Sequence, residues 1–236
     1  MAKIIRTVAS EQGFGVVNFK ASNSALSVDS AEKDLKILVE IVTKKTRELP
    51  YIIASSAAAL PALSLAASKP YQVFRAMALI NPVPSLQEGV ARLLRGKGRH
   101  LLPLYDTETF GLRAEIVGRA ILVGFGVNPA GPAATVLRRA INSKSLETIA
   151  SEASAGFRHT PMLYILGGKD SLLPPSYPDL LSSIVPHARI TTLAGMDHAL
   201  STGTLQTIAS RWPSYMPPQV RPIAREIGNY FRAAAN

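Results

Sequence analysis

Tyr51-Ile-Ile-Ala-Ser-Ser-Ala-Ala58 is an apolar run that stops at two serines and passes straight into an alanine-rich stretch of helical character. Where a strand turns sharply into a helix, the residue at the corner is exposed, and the positions two residues to either side must be small because the turn leaves no room for branched side chains. Such corners usually read Gly-x-Ser-x-Gly; here Ala54 and Ala58 hold the small positions around Ser56. The stretch predicts a strand, a tight turn and a helix, with Ser56 as a candidate nucleophile. Apolar strands also end in serine without any chemistry, so the reading depends on the rest of the chain.

Apolar runs alternate with helical patterns along the chain, with strands expected at Tyr51–Ala54, Ala76–Ile80, Met162–Leu166 and Arg189–Leu193, which argues for βα units and a mostly parallel sheet with helices on both faces. Gly13–Lys20, carrying Phe14-Gly-Val-Val-Asn-Phe19, is expected as an additional, earlier strand after a short amphipathic helix with Ile4, Ile5 and Val8. Asp29 followed by Glu32 resembles a capping box, and Leu35, Leu38, Val39 and Val42 follow helical spacing behind it. A last helix is expected over Val220–Ala234.

The segment between Ile80 and Met162 lacks a strand signal and is richer in Gly, Pro and Arg. Leu86–Leu94 and Leu112–Val123 are its helix candidates, with a turn at Asn128-Pro-Ala-Gly-Pro132. A stretch of this length is expected to be functional, as a helical cap over the carboxyl ends of the strands, where open α/β sheets bind ligands. The expected organisation is one domain: an N-terminal part of the core (1–80), the cap insertion (81–160) and a C-terminal part of the core (161–236). Leu93, Leu94, Leu101, Leu102, Ile121 and Leu122 could line a site for an aliphatic chain or simply pack the cap onto the sheet.

With 236 residues, of which 47% are hydrophobic, the chain can bury a sizeable core. Cysteine is absent, which excludes disulfides and cysteine-ligated metal. No apolar run approaches the roughly 18 residues of a membrane span, and residues 1–10 lack the apolar centre of a signal peptide, so a cytoplasmic protein is the expectation. The net charge of +10 favours an anionic partner. Its basic residues are scattered, apart from Arg92, Arg95, Lys97, Arg99 and His100; that stretch reads as a solvated face or as a docking site for an acidic protein. A nucleic-acid partner lacks support, since no base-reading or stacking element accompanies the charge.

Two further stretches complete the set that Ser56 begins. Pro161-Met-Leu-Tyr-Ile-Leu-Gly-Gly-Lys-Asp170 runs a buried strand through a glycine pair to an aspartate, and Ile190-Thr-Thr-Leu-Ala-Gly-Met-Asp-His198 runs another through a glycine turn to a histidine. A nucleophilic serine needs a base, and the base needs a carboxylate to hold its tautomer and stabilise the imidazolium. Ser56, Asp170 and His198 each follow a strand of one sheet and so belong to one edge of it. Taken singly, Asp170 is also a plain turn former and His198 a helix-start residue. Asp197 is a poor partner for the base because neighbouring side chains diverge in a loop. His100, His159 and His187 lie away from the strand ends and read as structural or surface residues.

Through these residues the chain resembles the α/β-hydrolase superfamily over essentially its whole length. Gly13-Phe-Gly-Val-Val looks like that fold's fourth strand, Ile53-Ala-Ser-Ser56-Ala its nucleophile elbow, Gly167-Gly-Lys-Asp170 its acid turn and Gly195-Met-Asp-His198 its histidine loop, in the order Ser, Asp, His. Alanine at the elbow's first glycine position, Asn81-Pro-Val-Pro-Ser-Leu86 and the stretch Phe110–Asn128 look most like the acyl-transferases of bacterial bioluminescence, although that family usually has a second serine where this chain has Ala58. The resemblance implies catalysis by Ser56, Asp170 and His198, an oxyanion hole that includes the Ala57 N–H, no cofactor, and a fatty acyl thioester substrate on an acyl carrier protein. A carboxylesterase or lipase-like hydrolase using the same residues is the alternative, and a non-catalytic binding or scaffold protein is the alternative of another class. The resemblance also implies that the fold's usual first three strands are missing, and with them the loop that supplies the second oxyanion donor.

Overall fold

Buried strands of a parallel sheet read as continuous apolar runs because helices cover both faces, and successive side chains then feed two separate layers. β2 (Ala76–Ile80) and β3 (Met162–Gly167) are such strands. Met77, Leu79, Met162, Tyr164 and Leu166 enter one hydrophobic cluster, while Ala76, Ala78, Ile80, Leu163 and Ile165 enter the other. The computed structural model of the chain describes residues 2–17, 28–85, 88, 144–153, 155–170, 172–197 and 220–235. Within them β1 (Tyr51–Ser55), β2, β3 and β4 (Arg189–Leu193) form one four-stranded parallel sheet in that order.

The first layer is built by α2 (Val28–Thr46), α3 (Ala59–Ser68), α4 (Leu146–Ser151), α5 (Ala155–His159) and α6 (Tyr177–Ile184). α3 lies deepest, with every residue from Ala59 to Ala67 buried. α2 packs on it through Val28, Leu35 and Val39, and each such side chain contributes about 1.5–3 kcal/mol on leaving water. The second layer pairs α1 (Ala2–Gln12) with α7 (Val220–Ala233), whose Val220, Ile223, Ala224, Ile227 and Phe231 make a helical stripe facing the sheet. Leu146, Ile149 and Phe157 of α4 and α5, within the stretch expected to end the cap, are buried in the first layer. The remainder of the expected cap, including both of its helix candidates and the basic stretch Arg92–His100, lies outside the described residues apart from 81–85 and 88.

Two local expectations are corrected. Residues 13–17 form no strand: Gly13 takes φ 75° and donates its N–H to the Ala9 carbonyl at 3.1 Å, so it serves as the left-handed terminator of α1. Phe14 then anchors the segment by edge contacts with Tyr51 and Phe231, at centroid distances of 5.3 and 5.9 Å, while Val17 is left 62% exposed. Among the described residues β1 has a strand neighbour on one side only. The capping box is the second correction. α2 includes Val28, so Asp29 sits in the first turn, where it complements the helix dipole. Glu32 turns instead to α3, its two oxygens accepting from the Ser64 hydroxyl at 2.6 Å and the Ser68 hydroxyl at 3.1 Å. Two hydroxyls on a packed helix offer a carboxylate more than one backbone N–H at the cap.

Tyr177, at the start of α6, is fully buried and its hydroxyl has no hydrogen-bond partner among the described residues; burial pushes the phenol well above its ordinary pKa. Removing a buried polar group that forms no bond removes its desolvation penalty. Tyr177→Phe is therefore expected to raise stability by about 1 kcal/mol, a gain of roughly 2–4 °C in Tm for a chain of this size. A thermal melt that falls instead would show that the hydroxyl is bonded. Among the described residues no helix is long and apolar enough to cross a membrane.

Candidate active site

β1 ends at Ser55 in extended conformation (φ −135°, ψ 150°), and the chain reverses at the next residue. Ser56 has φ 52°, opens a 3-10 turn over Ser56–Ala58 and runs directly into α3. Left-handed backbone is unfavourable for a residue with a Cβ, costing roughly 1–2 kcal/mol. A serine held there by a fully buried helix behind it and a strand before it is the geometry that lifts a hydroxyl off the end of a sheet. Ala54 is buried where the strand enters the turn, and Ala58 is exposed where the helix leaves it, so the small residues expected around Ser56 occupy the corner. Ala57 is the second residue of the turn, and the first N–H groups of a helical segment have no partner within that segment.

β2 ends in the same way. Ser55 is in register with Ile80, so Ser56 and Asn81 are equivalent positions on adjacent strands, and Asn81 also has a positive φ, 44°. Asparagine tolerates this conformation better than most residues. Asn81 is 1% exposed, and its side chain bridges two other segments: Oδ1 accepts from the Gly167 N–H at 2.7 Å and Nδ2 donates to the Asp197 carbonyl at 3.2 Å.

The acid turn and the following loop are interlocked. After β3, the Gly168 N–H donates to the Leu193 carbonyl at 2.9 Å and the Lys169 N–H to the Met196 carbonyl at 2.8 Å. Asp170 is buried, with its N–H bonded to the Gly167 carbonyl at 3.1 Å and its Oδ1 accepting from the Leu172 N–H at 2.8 Å. Thus Asp170 is both the turn former and a carboxylate held at the carboxyl edge of the sheet, along with Ser56. On the neighbouring loop Gly195 takes φ 80°, and the chain arrives at Asp197 in contact with β3. His198, the expected base, lies outside the described residues. The carboxyl edge of the sheet therefore carries Ser56, Asp170 and the residue preceding His198, after β1, β3 and β4.

Gly167 is needed for this interlock. A Cβ built on it would stand 2.7 Å from the Met196 carbonyl oxygen and closer still to that of Asp197, both backbone atoms. Gly167→Ala must push the loop away from β3, and overpacking of this kind costs about 1–3 kcal/mol. The expected result is a lower denaturation midpoint together with a loss of activity that persists in the folded fraction. Wild-type stability in this variant would disprove the close approach.

Sequence reasoning singled out neither Asn81 nor Gly167 for these roles. The signal available for Asn81 was an asparagine directly after an apolar strand, the position that Ser56 holds after β1. Among the described residues no three His, Cys, Asp or Glu side chains converge as a metal ion would require.

No protein-family model matches the chain, and no curated protein does. Solved structures do match. The chain is similar to an esterase from Pyrococcus furiosus with a TM-score of 0.62 at 14% identity, covering 99% of this chain and 75% of that chain. A thermophilic esterase from Thermogutta terrifontis gives 0.51 at 14% identity, covering 99% and 86%, and a bromoperoxidase from Bacillus anthracis gives 0.50 at 14%, covering 89% and 84%. At such identities the likeness speaks to architecture: the chain has an α/β-hydrolase fold.

Proposed function

We propose that the chain is a serine hydrolase that cleaves an acyl ester or thioester through a covalent acyl-serine intermediate. The observation that carries this reading is the positive φ of Ser56 at the turn between β1 and α3. Backbone strain persists only where the surrounding structure imposes it, and it gathers at functional sites. In the mechanism, His198 takes the proton of the Ser56 hydroxyl as that oxygen attacks the acyl carbonyl. The buried Asp170 carboxylate orients the imidazole and stabilises its cationic form. The Ala57 N–H donates to the oxyanion of the tetrahedral intermediate. The imidazolium protonates the departing alcohol or thiol, and the neutral imidazole then activates the water that releases the acid and regenerates Ser56.

Cleavage of a simple ester is supported by the fold neighbours, two of which are esterases. The finer reading, a fatty acyl thioester delivered by an acidic carrier protein, is supported by the sequence alone: alanine at the elbow's first small position and the basic stretch from Arg92 to Arg99.

A fluorophosphonate probe tests the chemistry. Covalent labelling of the wild type that Ser56→Ala abolishes supports a serine hydrolase, whereas folded wild type that resists the probe leaves a non-catalytic binding protein. Comparing kcat/KM for p-nitrophenyl esters of graded length with that for acyl thioesters then separates esterase from thioesterase. Added salt should raise KM for a carrier-linked substrate and leave that for a small ester unchanged.

A further inference from the structure

Asp170 is on the turn after β3, and the loop after β4 carries Asp197. A base and its carboxylate supplied by two separate turns work together only if the distance between the turns is fixed, since a displacement of about 1 Å at a reacting group costs on the order of 100-fold in rate. Backbone bonds join the two segments at Gly168 and Lys169, but their partners, Leu193 at the end of β4 and Met196 on the loop, precede Asp197 in the chain. Asp197, next along the chain, is held by Asn81.

We propose that Asn81 is a positioning residue that locks the Asp170 turn to the loop preceding His198, an inference that rests on the serine hydrolase reading above. Its side chain reaches both partners at once, accepting from the N–H of Gly167, three residues before Asp170, and donating to the carbonyl of Asp197. That carbonyl belongs to the peptide unit whose nitrogen is His198's own, so Asn81 sets the plane in which the chain enters the histidine. Three features suit the residue to the task. Its amide carries an acceptor and a donor on separate atoms of one planar group, whereas a carboxylate at neutral pH has no donor and a hydroxyl has both on a single atom. Its main chain continues the sheet ladder by donating to the Ile165 carbonyl at 2.9 Å, which gives the side chain a rigid base. Its positive φ turns the side chain off the end of β2, and asparagine is among the few residues that accept that conformation. Burial excludes water as a competitor for both bonds.

Asn81→Gly removes both bonds while keeping a residue at ease with φ 44°. Asn81→Asp keeps an acceptor for Gly167 and loses the donor to Asp197. Each is compared with the wild type by thermal melt, by kcat and KM on p-nitrophenyl butyrate, and by fluorophosphonate titration of the fraction of competent sites. The glycine variant is expected to be folded and fully titratable, with kcat lower by about 10- to 100-fold and KM within about two-fold. The aspartate variant should fall between it and the wild type. A folded glycine variant with kcat within about three-fold of the wild type overturns the proposal and leaves Ser56 as the nucleophile; should the glycine variant not fold, wild-type kcat in the aspartate variant overturns it equally. A loss that disappears on normalising to titrated sites also overturns it, because Asn81 would then only stabilise the fold. Failure of the wild type to label would overturn the hydrolase reading and this inference with it.

Discussion

Ser56→Gly is expected to melt at a higher temperature than Ser56→Ala, while both lose turnover by a factor on the order of 10⁴ to 10⁶. Both substitutions delete the hydroxyl and whatever it bonds, so the difference between them isolates the backbone. Alanine keeps a Cβ at φ 52° and retains the left-handed cost of roughly 1–2 kcal/mol. Glycine is free of that cost but loses about 0.4–1 kcal/mol through the greater freedom of its unfolded chain. The net advantage of glycine is about 1 kcal/mol, read as a few degrees in a thermal melt. A purely structural serine at this corner would show no such pairing of strain with activity, because selection for stability alone would favour glycine. Residual turnover above about 1% in the alanine variant would move the nucleophile elsewhere, with neighbouring Ser55, extended at the end of β1, first in line. A glycine variant that melts below the alanine variant, by the cost of about 0.4–1 kcal/mol from its freer unfolded chain, would show that the corner stores no strain.

β2 and β3 were legible because burial on both faces leaves a continuous run of apolar residues. Ala76–Ile80 needs no correction, and Met162–Leu166 extends by one residue to Gly167. Gly13–Lys20 failed on a competition between two uses of one residue. The same glycine that looks like the start of a strand is a better left-handed terminator for the helix before it, and residues 13–17 hold two glycines that weaken any ladder. Glu32 failed on tertiary context: a local cap motif lost to two serines of α3, 32 and 36 residues away in sequence. The candidate site was legible up to the placement of Ser56 and Asp170 on one edge, since strand order and turn residues suffice for that. Asn81 was not, because its two bonds span 86 and 116 residues and leave no periodic trace. The closeness of Gly167 to Asp197 was hidden for the same reason: a glycine chosen for contact with a distant backbone looks like one chosen for a turn.

For Asp170→Asn, the fold should persist while kcat falls by about 10⁴-fold. Asparagine retains an Oδ1 that can accept from the Leu172 N–H, so the turn at 170–173 and the interlock with the next loop stay in place. The change removes a negative charge from a buried position, where no water can substitute for it in stabilising an imidazolium. An amide can also present N–H where the histidine N–H needs an acceptor, which favours the wrong tautomer for a base. The loss is therefore expected in kcat rather than KM, with a melting temperature close to that of the wild type. Asp197 supplies the decisive contrast, since it sits beside His198 in sequence and carries the other carboxylate of the interlocked turns. Its main-chain carbonyl accepts from Asn81, which ties its backbone to the positioning role. If Asp197→Asn costs more in kcat than Asp170→Asn, the carboxylate is misassigned and the acid belongs to the histidine loop itself. If Asp170→Asn costs less than about ten-fold while Ser56→Ala abolishes turnover, the hydrolase works with a serine and a base alone, and the buried carboxylate serves only the turn.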